Sequence, residues 1–221
     1  MATIAADVTD LRTAEAELAR MLAREQESRL QLEIARRELA ELNEQLHILA
    51  STDPLTGLAN RMNLLEHVSS MLARAERNGA AVASVYVDLD RFKLVNDRFG
   101  HHVGDEMLRS VAERLRLAAR RGDVIARLGG DEFVVLLTDV ERDRVERVVE
   151  SLVARVCAGL AEPFVFGGVE IRVSSSVGTS IYPLDAADAR ALLERADGAM
   201  YDRKRARPER TIAVAPASSA A

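Results

Sequence analysis

The N-terminal fifty residues carry an apolar pattern that repeats every seven positions. Ten of its twelve seam positions are apolar, and Glu25 and Ser28 are the two exceptions. Such a repeat, with no Gly or Pro between residues 8 and 53, predicts one long helix in a parallel coiled coil. A single amphipathic helix folded onto the following domain is the alternative, but the length exceeds that of ordinary globular helices. The seam positions are Leu11, Ala14, Leu18, Met21, Glu25, Ser28, Leu32, Ala35, Leu39, Leu42, Leu46 and Leu49.

Beyond residue 50 the apolar residues follow helical and extended periods in turn, which predicts an α+β domain with a central, mostly antiparallel sheet flanked by helices. Pro54 and Gly57 end the first helix, and Asn60 is placed to cap the next one. The paired glycines 167 and 168 predict a hairpin turn. The predicted elements are a helix over about 61–77, a buried strand over 80–90, a polar loop, a helix over about 105–120, two strands around a turn within 123–140, a helix over 141–160, a hairpin within 162–183 and a helix over about 186–206.

These elements divide the chain into three segments. Residues 1–50 form a coiled-coil helix for dimerisation and signalling, residues 51–206 form the globular domain, and residues 207–221 form a tail whose end is expected to be disordered. The start, "TIAADVTDLRTAEAEL", resembles the exit from a PAS-type sensor domain into a signalling helix. That resemblance implies that residues 1–10 are the tail of an upstream sensor domain and that this chain is the output half of a longer protein.

Composition narrows the classes of function. The formal net charge is −5, so binding to a nucleic-acid polymer is not expected. The one cysteine, Cys157, lies in an apolar run, which favours a buried structural thiol over a nucleophile. No apolar run is long enough to cross a membrane, and the start lacks a signal-peptide pattern. We therefore expect a cytoplasmic protein without membrane insertion.

Two carboxylates lie where the buried strand ends in "YVDLD". Asp88 and Asp90 are two residues apart, so both face the same side of an extended strand. Their burial is costly unless a cation compensates for it, and Mg²⁺ prefers carboxylates, water and phosphate oxygens. The alternative is that both side chains cap the following turn. We assign that capping role to Asp90 and predict that Asp88 binds metal.

A second acidic turn follows in the sequence "RLGGDEF". Gly129 and Gly130 tolerate positive φ angles and leave room for a ligand against the backbone. Asp131 and Glu132 lie at the tip of the predicted hairpin, and Asp131 is placed to share ions with Asp88 on the adjacent strand. Carboxylates, Mg²⁺ and a glycine turn suit nucleotidyl or phosphoryl transfer. A plain hairpin without a ligand is the alternative.

The sequence "RLGGDEF" resembles the signature of the GGDEF family, the diguanylate cyclases. Four further segments match the pattern of that family in the same order, and the match covers roughly residues 51–206. The resemblance implies a fold like the palm of nucleotide polymerases and adenylyl cyclases. It also implies the reaction, in which two GTP molecules give cyclic di-GMP and two pyrophosphates. The four segments are "DPLTGLANR" (53–61), "DLDRFKLVND" (88–97), "FGHHVGDEML" (99–108) and "ADGAMYDRK" (196–204).

The resemblance assigns a role to each matching residue. Asp88 and Asp131 would bind Mg²⁺, with Mn²⁺ as the alternative ion and the Leu89 carbonyl as a third ligand. Glu132 would be a further metal ligand or the base that activates the 3′-hydroxyl. Substrate contacts would come from Phe92 and His101 at the base or ribose, Asn96 and Asp105 at the guanine edge, Gly129 and Gly130 beside the nucleotide, and Lys93 and Lys204 at the β- and γ-phosphates. For Asn96 the alternative is an ordinary loop, and for Phe92 it is a position in the core.

Lysine is rare in this chain and falls at two motif positions. Of 30 basic residues only Lys93 and Lys204 are lysines, and a phosphate site would explain a compact ammonium at both places. With two cases, coincidence is the alternative. After Lys204 the chain departs from the family, because Arg207 and Pro208 replace the usual glycine and phosphate-contacting arginine. Arg203 also replaces the customary alanine. These changes bear on the affinity for the triphosphate rather than on the chemistry.

A candidate control site precedes the acidic turn. The sequence "RRGD" places Arg120 and Asp123 at the spacing at which the family has its product-inhibition site. Arg120 would take a guanine edge or a phosphate of cyclic di-GMP, and Asp123 would accept from a guanine N–H. A helix terminus with a surface ion pair is the alternative. Because each active site would hold one GTP, the resemblance implies a homodimer, which the N-terminal heptads would bring together.

The predicted function is therefore a diguanylate cyclase that acts across a homodimer and is inhibited by its product. A non-catalytic module that binds GTP or cyclic di-GMP and relays a signal is the main alternative. Degenerate members of the family usually lose the acidic turn, which this chain keeps. A structural coiled-coil adaptor is a third possibility, and it leaves the acidic turn unexplained.

Overall fold

The computed structural model describes residues 20–22, 24–43, 51–206 and 212–216 of the chain. The predicted sensor tail, the seam positions before residue 20 and after residue 43, and the departures at Arg207 and Pro208 lie outside these residues. The chain divides into two units, Met1–Ile48 and Leu49–Ala221.

The first unit contains one helix, α1, over the described residues 20–22 and 24–43. This confirms the predicted N-terminal helix over those residues. Its apolar seam is open to solvent, since Met21, Leu32 and Leu39 are each more than half exposed. Glu25 pairs with Arg29 one turn later, with 2.6 Å between Oε1 and Nη2. An exposed seam is what a coiled coil needs from one chain, and the coiled-coil homodimer itself stays a prediction.

The second unit is built on a four-stranded antiparallel sheet in the order β2-β3-β1-β6, with a separate small sheet in the order β4-β5-β7. Helices pack on both faces of the larger sheet. This confirms the predicted α+β class with a central antiparallel sheet. The elements are α2 (Arg61–Asn78), β1 (Ala80–Leu89), α3 (Phe92–Phe99), α4 (His101–Ala118), β2 (Val124–Gly129), β3 (Glu132–Glu141), α5 (Val145–Ala161), β4 (Phe164–Phe166), β5 (Val169–Arg172), β6 (Ser175–Tyr182), α6 (Ala189–Ala206) and β7 (Ala213–Pro216).

The segment predicted as a polar loop is helical. Helix α3 occupies most of it, and α4 begins at His101 rather than near Asp105. Helix α3 has only Phe92 and Val95 buried, and no side chain caps its start at Arg91. The helix spans only eight residues and starts without a side-chain cap, which is why the sequence pattern did not indicate it.

The segment predicted as one hairpin forms three strands. The turn at Gly167 and Gly168 joins β4 to β5 as predicted, but the chain then changes sheet at residues 173–174, and β6 pairs with β1. Strand β7 adds to β5 and includes Ala215 and Pro216, which belong to the predicted disordered tail. Long-range pairing decides both differences. Helix α6 also starts later than predicted, because the Asp188 carboxylate accepts from the Ala191 N–H at 2.8 Å.

The central strand β1 is buried on both faces, which explains its almost uninterrupted apolar run. Its odd-numbered residues, such as Val85 and Val87, join the core formed with α4 and α5. Its even-numbered residues, such as Val82 and Tyr86, join the core formed with α2 and α6. By the same alternation Asp88 lies on the α2/α6 face.

Helix α6 approaches β6 closely because Gly178 has no side chain. A Cβ atom at Gly178 would lie 2.1 Å from the Ala196 carbonyl oxygen and 2.2 Å from the Met200 nitrogen. Arg203 then donates from Nη1 to the Val177 carbonyl at 3.0 Å. The position of the last turn of α6 on the sheet is therefore set by a strand glycine and by Arg203.

A buried ion pair connects the segment before α2 to the acidic turn. Arg127 Nη1 lies 3.0 Å from both carboxylate oxygens of Asp53, and the two side chains are 11% and 16% exposed. The same guanidinium donates from Nε and Nη2 to the Gly130 carbonyl at 3.0 and 2.8 Å. Asp53 also accepts from the backbone N–H and the hydroxyl of Thr56. Burial opposes ionisation of Asp53, but the hydrogen bonds from Thr56 and Arg127 hold its pKa below the usual value.

We expect Gly178→Ala to destabilise the protein by about 1–3 kcal/mol, because the added methyl group must push α6 away from β6. Gly198→Ala is the matched control, since Gly198 lies in the same helix with no atom within 4 Å of its Cβ position. That control should be neutral or stabilising by up to about 1 kcal/mol. Chemical denaturation of both variants measures the difference, and equal stabilities would contradict close packing at Gly178.

We expect Asp53→Asn to lower the free energy of unfolding by about 2 kcal/mol at pH 7, because Arg127 then loses its buried counter-charge. A carboxylate with a lowered folded-state pKa stabilises the protein above its ordinary pKa of 3.8, and that contribution is lost as the pH falls through the lower value. The gap between wild type and variant should therefore close below about pH 4. Denaturation curves from pH 7 to pH 3 test this. A gap that is independent of pH, or as large for the exposed control Glu66→Gln, would contradict it.

Candidate active site

The centre of the site is the carboxylate of Asp88 at the end of β1. Its side chain is 8% exposed, and Lys204 Nζ from the last turn of α6 lies 2.5 Å from its Oδ1. Two of the predicted site residues, 116 positions apart in sequence, therefore form an ion pair. The close packing of α6 on Gly178 is what brings the lysine to the strand end.

The environment of Asp88 is strongly negative. Burial raises its pKa to about 6; the hydrogen bond from Lys204 opposes this rise, and the charges of Asp131 and Asp90 add to it. Burial acts to lower the pKa of Lys204, but its hydrogen bond to Asp88 and the charges of the nearby carboxylates raise it above its usual value. Asp88 and the two carboxylates that act on it, Asp131 and Asp90, face one ammonium, which leaves two negative charges unbalanced.

The acidic turn has the predicted form. Strands β2 and β3 are joined at Gly130 and Asp131, with Gly129 paired to Glu132 across the turn. Gly129 has φ 144° and Gly130 has φ 53°, so both glycines adopt backbone angles that side chains disfavour. Asp131 has no hydrogen-bond or ion-pair partner among the described residues. Its carboxylate is therefore available to a ligand while it acts electrostatically on Asp88.

Glu132 is held beside Asp88 by the sheet register. The two residues are direct cross-strand partners in the antiparallel pair of β1 and β3. Tyr86, two residues before Asp88 on the same strand face, donates its hydroxyl to Glu132 Oε2 at 3.4 Å. Burial and the charges of Glu132 and Asp197 raise the pKa of Tyr86, so its hydroxyl stays protonated and can act as a donor. The sequence analysis missed Tyr86, although the two-residue period of a strand places it beside Asp88.

A second group of predicted residues meets where α3 packs on α4. Phe92 and Asn96 both lie against Gly104 of α4, where a Cβ atom would be 3.2 Å from Phe92 Cζ and 1.9 Å from Asn96 Oδ1. Phe92 is buried, as the alternative core position predicts, and its contact with the base or ribose stays a prediction. Gly104 was also missed, and its signal was an isolated glycine inside a helical pattern.

The remaining predicted substrate residues flank this group. Lys93 lies in the first turn of α3, exposed and with no ion pair among the described residues. His101 begins α4 and is exposed, and Asp105 follows one turn later in the same helix and is partly buried. Leu89 is the last residue of β1, with its side chain buried. These positions are compatible with the predicted contacts, and the contacts themselves stay predictions.

Asp90 does not cap the following turn, so that prediction is wrong. Its carboxylate accepts hydrogen bonds from the hydroxyls of Ser174 and Ser176, at 2.5 and 2.7 Å. Ser176 lies in β6, the strand that pairs with β1, and Ser174 directly precedes it, so both hydroxyls compensate for the partial burial of Asp90. Two hydroxyl donors satisfy Asp90 without a cation, whereas Asp88 depends on one. The difference supports the assignment of Asp88, rather than Asp90, to a metal ion.

The candidate control site lies away from the acidic turn. Arg120 Nε and the Asp123 Oδ1 atom are 3.0 Å apart, and Arg120 Nη2 donates to the Thr138 carbonyl at 2.5 Å. Thr138 is six residues along β3 from Glu132, which corresponds to roughly 20 Å in an extended strand. Arg120 and Asp123 thus form the surface ion pair that was the alternative prediction. Arg120 is half exposed, and its Nη1 is left to bind a ligand.

The donor set at the two strand ends fits a divalent ion that also binds phosphate. Within the described parts of the chain, no three His, Cys, Asp or Glu side chains converge closely enough to hold an ion by themselves. Two acidic side chains, a backbone carbonyl, water and nucleotide phosphates are the ligands that Mg²⁺ commonly uses. The unbalanced negative charge around Asp88 would attract such an ion.

Two cavities of similar volume lie beside the carboxylates. One, of about 480 Å³, is lined by Asp53, Arg127 and Gly129, the first glycine of the acidic turn. The other, of about 460 Å³ between α2 and α6, is lined by Tyr86 and Asp197 among others, but by none of the predicted site residues. We place the site at the carboxylates, because a triphosphate with bound metal needs charge complementarity more than it needs an apolar pocket.

Comparisons with known proteins identify the family of this chain. A family model described as "Diguanylate cyclase, GGDEF domain" matches residues 50–210. The bifunctional diguanylate cyclase/cyclic di-GMP phosphodiesterase MucR of Pseudomonas aeruginosa is 42% identical over 166 residues, which are 75% of this chain and 24% of MucR. Other curated relatives are named diguanylate cyclases or cyclic di-GMP phosphodiesterases. The chain thus spans about a quarter of the length of the first of these relatives.

Two solved structures share the fold. A sensory box/GGDEF family protein from Caulobacter crescentus has 39% identity and a TM-score of 0.66, over 70% of this chain and 98% of that one. The coiled coil and GGDEF domain of DgcB from the same organism, in complex with c-di-GMP, has 29% identity and a TM-score of 0.70, over 81% of this chain and 94% of that one. No helix among the described residues is long and apolar enough to cross a membrane. With the family model matching most of its length, the chain belongs to the GGDEF domain family of diguanylate cyclases.

Proposed function

We propose that this chain is an active diguanylate cyclase, which condenses two GTP molecules into cyclic di-GMP and two pyrophosphates. The observation that carries the proposal is the intact acidic turn, with Asp131 unpaired among the described residues and close to a buried, incompletely neutralised Asp88. A relay module without catalysis would not need this concentration of negative charge. The cost of burying Asp88 is explained if the site works with a divalent ion.

The chemistry is the attack of a ribose 3′-oxygen on the α-phosphorus of the other GTP. In each of two such steps an O–P bond forms, the bond from the α-phosphorus to the bridging oxygen breaks, and pyrophosphate leaves. Asp88, Asp131 and the Leu89 carbonyl would hold Mg²⁺, or Mn²⁺ in its place. The ion, when bound, lowers the pKa of the hydroxyl and neutralises charge on the phosphate. Glu132 would accept the hydroxyl proton, or act as a further ligand, with its orientation fixed by the hydroxyl of Tyr86.

Guanine recognition is assigned to the junction of α3 and α4. Asn96 offers both a donor and an acceptor, and Asp105 can accept from the N1–H and N2–H of guanine. Gly104 holds α3 close to α4 and so fixes Asn96 relative to Asp105. Phe92 and His101 would line the base or ribose.

The phosphates would lie between the acidic turn and two lysines. Gly129 and Gly130 leave the backbone of the turn open, since a Cβ atom at either position would meet nothing within 4 Å. Lys93 is exposed without an ion pair among the described residues, and Lys204 lies at the end of α6. Both ammonium groups would bind the β- and γ-phosphates. Arg203, which donates to Val177, is committed to holding α6 rather than to the nucleotide.

Two chains are needed because each site would hold one GTP. The exposed seam of α1 supports a coiled-coil homodimer, which would bring the two sites to a high effective concentration. An upstream sensor would act through the same helix. Cyclic di-GMP would inhibit at Arg120 and Asp123, where Arg120 offers its remaining guanidinium edge to a guanine or a phosphate.

The test is to incubate the purified chain with GTP and Mg²⁺ beside Asp131→Asn, and to resolve the nucleotides by chromatography and mass. We expect cyclic di-GMP and pyrophosphate from the wild type and a loss of at least about 100-fold for the variant, since it removes a group that stabilises transition-state charge. Asp139→Asn, a carboxylate at the far end of β3, is the control and should keep its activity. Wild-type protein that binds cyclic di-GMP without making it would instead identify a relay module.

We expect Arg120→Ala to relieve product inhibition, because the substitution removes the cation that would bind cyclic di-GMP. The affinity for cyclic di-GMP, measured by calorimetry with nucleotide-free protein, should fall at least about tenfold. Progress curves should stay linear to higher product concentration, with the initial rate unchanged. Arg121→Ala, the neighbouring arginine, is the control. Equal inhibition of the wild type and Arg120→Ala would show that the site is only a surface ion pair.

A further inference from the structure

If the proposed function holds, the Lys204 ammonium has two binding partners, the Asp88 carboxylate and the phosphates of GTP. The structure has its Nζ 2.5 Å from Asp88 Oδ1, where a metal ligand should be free. The proposed function needs the same ammonium at the β- and γ-phosphates. A divalent ion at Asp88 would compete with the ammonium for the same carboxylate, because both cations are drawn to its negative charge.

We propose that Lys204 is an exchangeable counter-ion, which neutralises Asp88 in the free protein and transfers to the triphosphate when the metal–nucleotide complex takes its place. The inference rests on the proposed function for the destination of the lysine, but the release from Asp88 concerns the divalent ion alone. It predicts that the metal without nucleotide binds weakly because it must displace Lys204. It also predicts that metal and nucleotide bind cooperatively. The metal releases the ammonium that the nucleotide binds, and the nucleotide draws the ammonium away from the carboxylate that the metal binds.

The backbone around Lys204 is fixed while its side chain is free to move. Gly178 and the bond from Arg203 to Val177 hold the last turn of α6 on β6. The Lys204 side chain is 39% exposed, whereas that of Asp88 is 8% exposed. The lysine can therefore change its side-chain conformation toward solvent, and the aspartate cannot. A flexible four-carbon chain on a fixed backbone suits transfer between two nearby acceptors.

The charges favour exchange over a permanent pair. Three carboxylates, Asp88, Asp90 and Asp131, act on Lys204, and one ammonium leaves two of these negative charges unbalanced. A divalent ion would satisfy the carboxylates better than the ammonium does, provided that the displaced ammonium finds another anion. The nucleotide supplies that anion. Asp90 already has its two serine donors, so the change is confined to Asp88 and Asp131.

The test measures Mn²⁺ binding without nucleotide, by the loss of the free Mn²⁺ signal in electron paramagnetic resonance. We expect Lys204→Met to bind Mn²⁺ about tenfold more tightly than the wild type, because the competing cation is gone. Arg205→Met is the matched control. It removes one positive charge from the next residue of the same turn, and Arg205 stacks over Tyr201 rather than on a carboxylate. It should change the Mn²⁺ affinity by less than about twofold, since an exposed charge is largely screened.

A second measurement covers the possibility that Lys204→Met unfolds. Without its counter-ion Asp88 should lower the melting temperature, and Mn²⁺ should raise the melting temperature of the variant more than that of the wild type. Lys204→Gln, which keeps a donor for Asp88 without the charge, should show the same direction of change. Adding Asp88→Asn to either variant should abolish the gain in Mn²⁺ affinity, which identifies the site.

The outcomes separate this inference from the proposed function. Mn²⁺ binding by Lys204→Met that is equal to or weaker than wild type, or a gain matched by Arg205→Met, overturns the exchange even if the wild type makes cyclic di-GMP. Tighter Mn²⁺ binding in a chain that makes no cyclic di-GMP supports the exchange and overturns the cyclase. With a non-hydrolysable GTP analogue, the wild type should bind Mn²⁺ more tightly than without it, and Lys204→Met should lose most of that gain.

Discussion

The arrangement of this domain depends on one costly feature, a carboxylate placed inside the sheet at the end of its central strand. Asp88 sits on the α2/α6 face of β1, with other acidic side chains beside it and little solvent to screen them. Burial of that kind is tolerated only when a cation is within contact distance. The lysine at the end of α6 is that cation, and the close approach of α6 to β6 brings it to the carboxylate. Neutralising this one charge therefore depends on how the whole helix packs.

The same constraint explains how the acidic turn is built. The register of β1 and β3 sets Glu132 opposite Asp88, and the two-residue turn sets Asp131 just beyond it. A turn with two glycines at unusual φ angles would be free to move by itself. Arg127 prevents this by bonding to the Gly130 carbonyl while its other edge is held by Asp53. The segment that enters the domain is thereby joined to the turn, and electrostatic preorganisation needs such rigidity.

Sequence pattern predicted most of this because most of it is local. Period-two alternation placed Asp88 on one strand face, and the paired glycines marked the turn that carries Asp131. The partners that complete the site are far away in sequence. The hydroxyls that bond to Asp90 belong to Ser174 and Ser176, which follow it by 84 and 86 residues. Lys204 is 116 residues from Asp88. Such pairs follow from sheet order and helix packing, and no local signal carries them.

The errors in the predicted fold have the same origin. Helix α3 was missed because eight residues with two buried positions and no side-chain cap resemble a loop. The run from residue 169 to 182 was predicted as one strand because β-branched residues recur along it, yet it divides where the chain leaves the small sheet for the large one. Propensity describes what a segment tolerates, whereas pairing partners decide what it becomes.

Strand β3 limits how the product could control the reaction. It carries Glu132 at one end and accepts a hydrogen bond from Arg120 at Thr138 near the other. Between them, residues 133–137 are almost fully buried and paired to strands on both sides. A strand packed in this way does not deform for the energy of one ligand contact, because its neighbours on both faces and both edges would have to move with it. Product bound at Arg120 would therefore leave the acidic turn intact within one chain. Under the proposed function, the product would thus act on how the two chains meet rather than on the turn itself.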